Sequence, residues 1–153
     1  MSEQEIILRL SSALLLGGLI GLERQWRSHY VGLRTNTLLT LGSTALMIFV
    51  SIITFNNNDL IEHMASQVVT GVGLLCAGVI MREGANARGF NTAATFWCSV
   101  IVGLFCGTGL FKAAALLTFS VIFINLFLGP IVRYINTTTT PNDPEFPPGR
   151  DHE

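Results

Sequence analysis

Residues 35–55 read TNTLLTLGSTALMIFVSIITF, and no Asp, Glu, Lys or Arg occurs between Arg34 and Asp59. Three further gaps of this kind follow, from Glu62 to Arg82, from Arg88 to Lys112 and from Lys112 to Arg133. Each holds about 20 residues, the number a helix needs to cross a hydrocarbon core of ~30 Å. A fifth apolar stretch, Ile6 to Leu22, contains Arg9 near one end, where a long side chain reaches the headgroups. A signal peptide is the competing reading of that first stretch. The acidic start, Met1 to Glu5, and the end of the run at Glu23-Arg24-Gln25 argue against it. Four charge-free gaps in succession leave no polar outer face for a soluble bundle. The sequence predicts an all-α, polytopic membrane bundle of about five transmembrane helices.

Composition agrees. Of 153 residues, 50% are hydrophobic and only 12% charged, about half the charge of an average soluble domain. Net charge −1 excludes a generally basic nucleic-acid binder, so no nucleic-acid partner is expected. Cys76, Cys98 and Cys106 lie inside apolar runs without CxxC spacing, giving neither a disulfide framework nor a zinc site. With five spans, Arg24, Arg27, Arg34, Arg82, Arg88 and Arg133 share one side. The positive-inside rule makes that side cytoplasmic, with the N-terminus outside and the C-terminus inside. Trp26, Tyr30 and Tyr134 then fall near the cytoplasmic boundary.

The membrane part is expected over residues 1–135. From Asn136 the composition shifts to four threonines and a Pro-rich stretch, and residues 136–153 read as a disordered tail. Inside the spans, small residues recur at helical steps: Ala13, Gly17 and Gly21 in the first, and Thr92, Thr95, Ser99, Gly103 and Gly107 in the fourth. The third stacks Gln67, Gly71, Leu74 and Gly78, with Thr70, Gly73 and Ala77 beside them. Helices in lipid pack where small residues let backbones approach, so Gly17, Gly21, Gly71, Gly73, Gly78, Gly103 and Gly107 are packing candidates. Gln67 is expected to make an interhelical hydrogen bond. The glycines of the third span also admit a bent helix lining a polar cavity.

Polar residues gather near the six-arginine side. Glu23, Arg24 and Gln25 end the first span, and Arg34 and Thr35 open the second. Glu23 and Arg34 thus stand where a carboxylate and a guanidinium can pair through two parallel hydrogen bonds; a plain hairpin corner with topological anchors is the alternative. Asn91 or Thr92 is the expected N-cap of the fourth helix, and that helix start beside Arg88 is either an anion site or an ordinary cap. The candidate cluster is Glu23, Arg24, Gln25, Arg34, Thr35 and Thr92. In it Glu23 accepts from Arg34, Arg24 faces a partner or ligand, and Thr92 caps the fourth helix. No nucleophile–base pair or metal-ligand spacing occurs, and His29, His63 and His152 stand alone, so no catalytic residue, metal ligand or cofactor is expected.

Five segments in order carry a resemblance: Gly17 to Gln25, Gly32 to Thr35, Gln67 to Gly73, Ala77 to Ile80, and Thr92 to Trp97. Together they resemble the MgtC/SapB family of bacterial inner-membrane proteins, over about Gly17 to Gly109. The chain departs at Cys76, where relatives usually have glycine, and at Asn91, where they usually have threonine. Its Pro-rich tail stands where many relatives continue into a globular cytoplasmic domain. The resemblance implies a regulatory inner-membrane protein tied to growth in low magnesium and, in some pathogens, to virulence as survival inside macrophages. Restraint of the F-type ATP synthase is one role it implies. Mg2+ transport is the alternative, but a dedicated Mg2+ path wants carboxylates in the membrane, and spans two to five hold none. A regulator acting on membrane partners, and forming a homodimer, is the expectation; a transporter or channel for Mg2+ or another small ion is the second reading.

Overall fold

The computed structural model describes residues 2–26, 32–53, 58–83 and 86–139. Five α-helices follow one another: α1 (Glu3–Trp26), α2 (Leu33–Ile53), α3 (Asn58–Val79), α4 (Phe90–Thr108) and α5 (Phe111–Thr139). All five are long and apolar enough to cross a membrane. The all-α bundle expected from the charge-free gaps is therefore the fold. One addition is a short antiparallel hairpin, β1 (Met81–Glu83) with β2 (Asn86–Arg88), inside the α3–α4 connection. α5 runs to Thr139, so the helix carries Asn136 to Thr139 as its last turn rather than ending before them. A helix already nucleated extends at little cost per residue. The rest of the expected tail lies outside the described residues.

The chain divides into two compact units, Met1–Ile122 and Phe123–Glu153. In the second, the rings of Phe123 and Phe127 meet at a centroid distance of 4.5 Å, the i, i+4 spacing that brings side chains together on one helix face. In the first, Ala13, Ile20, Val102, Cys106, Ala114 and Val121 form a buried cluster joining α1, α4 and the first part of α5. α4 is the most enclosed of the spans. It starts after Gly89 (φ 97°) and ends at Gly109 (φ 85°), both in the left-handed region. At Gly109 the amides of Gly109 and Leu110 return to the carbonyls of Cys106 and Phe105, a Schellman closure. A Cβ on Gly89 would stand 2.5 Å from the Val79 carbonyl oxygen, so the hairpin is drawn tightly against the end of α3. At the other end of the chain, Ser2 and Glu5 exchange side-chain and backbone hydrogen bonds as a capping box for α1.

The first-span and fourth-span glycines are the packing points expected of them. A Cβ on Gly17 would lie 2.7 Å from Thr40 Cβ, on Gly21 2.6 Å from Leu33 Cα, and on Gly107 2.5 Å from Met47 Cβ. Gly103 is pressed against Ser43 and the Thr40 carbonyl. These contacts set α1 antiparallel to α2, and α2 parallel to α4. The third-span glycines differ. A Cβ on Gly71, Gly73 or Gly78 would meet nothing within 4 Å, so among the described residues these three are not close-approach points. α3 runs as one helix through all three. Gln67 is exposed, and among the described residues it makes no hydrogen bond to another helix.

Candidate functional site

Arg24 is 2% exposed, the largest fully buried side chain among the described residues. It projects from the last turn of α1 toward the first turn of α4. Its Nη2 donates to Thr92 Oγ1 at 2.7 Å and its Nη1 to the Asn91 carbonyl at 3.3 Å. Arg24 therefore points into the bundle and holds α4, where the sequence suggested that it faces a partner or ligand. Thr92 likewise does not cap α4. The cap position belongs to Gly89, with no side-chain capping bond, because the left-handed turn out of the hairpin needs a residue without Cβ. Asn91 and Thr92 fall inside the first turn, free to serve Arg24.

A second arginine repeats the arrangement at the far end of α4. Arg9 Nη1 donates to the Gly107 carbonyl, and its guanidinium packs beside Gly109. Arg9 and Arg24 stand about four turns apart on α1, ~22 Å along the axis, and Gly107 and Thr92 are equally far apart on α4. Two antiparallel helices are thus fastened at both ends by arginines of one of them. The electrostatics differ at the two ends. Arg9 meets the negative end of the α4 dipole, a favourable placement, whereas Arg24 adds positive charge to the positive end. Glu23 is half-buried, engaged, and close enough to bear electrostatically on Arg24.

The other candidates spread out. Gln25 is exposed and leans over Gly32, where a Cβ would stand 2.5 Å from its Oε1. Arg34 is exposed and Thr35 half-buried at the start of α2. Neither is hydrogen-bonded to Arg24 or Thr92. The structure brings Arg24 and Thr92 together, with Glu23 adjacent, and leaves Gln25, Arg34 and Thr35 around the rim.

A polar ladder between α2 and α4 continues inward, and its α2 half escaped the sequence reading. Asn36 is fully buried; its amide donates to the Gly32 carbonyl at 2.9 Å, and its Oδ1 accepts from Ser99 Oγ at 2.9 Å. Thr40 Oγ1 lies 2.9 Å from the Asn36 carbonyl and 3.2 Å from that of Ser99. Thr44 Oγ1 lies 2.8 Å from the carbonyls of both Thr40 and Gly103. Each hydroxyl so reaches carbonyls on two helices. The signal was present as Asn36, Thr40 and Thr44 at steps of four. Among the described residues no group of three His, Cys, Asp or Glu is placed to hold a metal ion. Cys76 Sγ instead donates to the Ala93 carbonyl at 3.2 Å, tying α3 to α4.

The model of the MgtC family matches residues 10–134, which takes in the Arg24–Thr92 contact and the α2–α4 ladder. The chain belongs to the MgtC family. Among curated MgtC relatives, Protein MgtC of Salmonella typhimurium (strain LT2) is 49% identical over 130 residues, covering 85% of this chain and 55% of its own length. Protein MgtC of Brucella abortus (strain 2308) is 47% identical over 126 residues, 82% of this chain and 52% of its own. An uncharacterized protein of Synechocystis is 46% identical over 136 residues, 89% of this chain and 57% of its own. The chain thus spans about half the length of the curated MgtC proteins it matches. No solved structure matches it. It is a multi-pass, MgtC-like membrane protein.

Proposed function

We propose that this MgtC-like protein is a regulator in the bacterial inner membrane, acting by contact with membrane partners in adaptation to low magnesium, and not as an enzyme. The observation that carries this reading is the outward face of α3. Ser66, Gln67, Thr70, Gly71 and Gly78 are exposed there, and the glycines have open space beside them. A glutamine and hydroxyls gain nothing from lipid chains, and glycines give another helix close access to the backbone. Such a face suits a membrane-embedded protein, either a second copy in a homodimer or a larger assembly of the class of the F-type ATP synthase. The buried polar groups are consistent with this. The α2–α4 ladder turns its threonine hydroxyls to backbone carbonyls, and Arg24 directs Nη1 and Nη2 to α4, which suits a rigid scaffold better than a hydrated path.

The topology that goes with this reading has the α1–α2 and α3–α4 connections in the cytoplasm, the N-terminus outside and the C-terminus inside. Survival of a pathogen inside host cells would follow from the same low-magnesium role. Transport of Mg2+ or another small ion is the second reading. Purified protein in liposomes should pass no Mg2+ down a gradient, while loss of the protein should impair growth of its host in low magnesium. Protein-dependent Mg2+ flux would replace the first reading with the second.

A further inference from the structure

Between α3 and α4, on the side of α3 turned away from Gln67, the two antiparallel helices part and leave a groove of about 570 Å³. Its walls are Ile61, Ala65 and Val69 of α3, with Trp97, Ile101 and Phe105 of α4 facing them. Two polar residues, Glu62 and Thr108, lie at one end. The groove runs along α3 from Ile61 to Val69, ~12 Å at the helical rise. That is close to the ~15 Å of hydrocarbon in one leaflet. Glu62 lies in the second turn of α3, at headgroup depth if the helix spans. Left empty, an apolar groove forfeits the dispersion contacts of its lining.

We propose that the groove holds an acyl chain of a phospholipid with a primary-amine headgroup, its ammonium paired with the Glu62 carboxylate. The length and apolar lining select an acyl chain, and the carboxylate at the mouth selects a cationic amine over a phosphoglycerol head. The pairing is at the interface, so its selectivity is modest, about threefold, as for an exposed ion pair. This binding is separate from the outward face of α3 and does not depend on what that face contacts.

Trp97 on the groove wall reports occupancy directly. The chain has two tryptophans, so Trp26→Phe leaves Trp97 alone. In that background, vesicles containing phosphatidylethanolamine or phosphatidylglycerol with brominated chains give relative affinities from Trp97 quenching. The expected result is about threefold stronger apparent binding of the phosphatidylethanolamine, as for one exposed ion pair. Glu62→Gln should bring the ratio to unity, and Ala65→Phe, which fills the groove, should reduce quenching by both lipids. Glu62 is exposed, so its variant folds independently of the outcome. Equal or stronger binding of phosphatidylglycerol by the parent protein would overturn the proposal. So would a preference that survives Glu62→Gln, or Trp97 shielded from both lipids in a species of twice the mass, in which a second copy fills the groove.

Discussion

Arg24 Nη2 lies 2.7 Å from Thr92 Oγ1, joining the last turn of α1 to the first turn of α4. The bond closes one end of a helix pair whose other end is closed by Arg9 on the Gly107 carbonyl. Two strong, charge-assisted donors at matched positions fix the register of α1 on α4. α4 in turn aligns α2 through the hydroxyl ladder and α3 through Cys76.

Replacing Thr92 with Ala removes the acceptor of Nη2 on the buried Arg24 guanidinium and leaves the Asn91 carbonyl to Nη1. The loss should be about 1–3 kcal/mol, typical of a buried polar group left without a partner. Thr92→Ser should retain nearly all of the stability. Unfolding of the two variants in mixed micelles measures the difference. Equal stability of Thr92→Ala and the parent would deny the bond its structural role.

Glycines divide by what surrounds them. Gly103→Ala and Gly107→Ala place a methyl group against Ser43 and Met47, and each should destabilise by about 1–3 kcal/mol through overpacking. Gly71→Ala and Gly78→Ala meet open space inside α3, and each should leave stability unchanged or raise it by up to about 1 kcal/mol. If the α3 face binds a partner, these same two variants should still impair growth in low magnesium. Thermal melting beside complementation separates the two effects.

This division was only half legible in the sequence. Four charge-free gaps of membrane length, with the apolar stretch Ile6 to Leu22 that holds only Arg9 near one end, are sufficient to place five spans. Steps of three and four mark Gly17, Gly21, Gly103 and Gly107 as close-approach points, and the fold uses all four inside the chain. The same steps mark Gly71, Gly73 and Gly78, yet spacing says only that residues share a face, not whether a neighbour stands there. Arg24 and Arg34 posed a similar problem. Both flank the α1–α2 connection, and which of them turns inward depends on the rotation of α1 and α2 about their axes, a consequence of packing at Gly17 and Gly21. The N-cap at Gly89 was hidden by the hairpin before it, whose tight return to α3 required a left-handed residue.

Asn36 and Ser99 should be energetically coupled. A double-mutant cycle with Asn36→Ala and Ser99→Ala should give about 0.6–1.7 kcal/mol, the range of interhelical hydrogen bonds in membrane proteins. The check is unfolding of the single and double variants in the same detergent. A coupling near zero would reduce the ladder to a set of independent hydroxyls bonding their own helices.

Topology is testable from positions flanking α3. In a background without cysteine, single cysteines at Asn57 and Ala85 should react with an impermeant thiol reagent from opposite faces, with Asn57 outside. Reaction of both from one face would reject a spanning α3 and the orientation built on the arginines.

The claim that α3 presents a partner surface is met most directly by photo-crosslinking in native membranes. A benzophenone side chain at Gln67 should yield a discrete adduct of higher mass containing a second protein, whether another copy of the chain or a different membrane protein. The same group at Leu116, which is 70% exposed on α5, should yield lipid adducts only. Lipid adducts alone at Gln67, matching those at Leu116, would contradict the account.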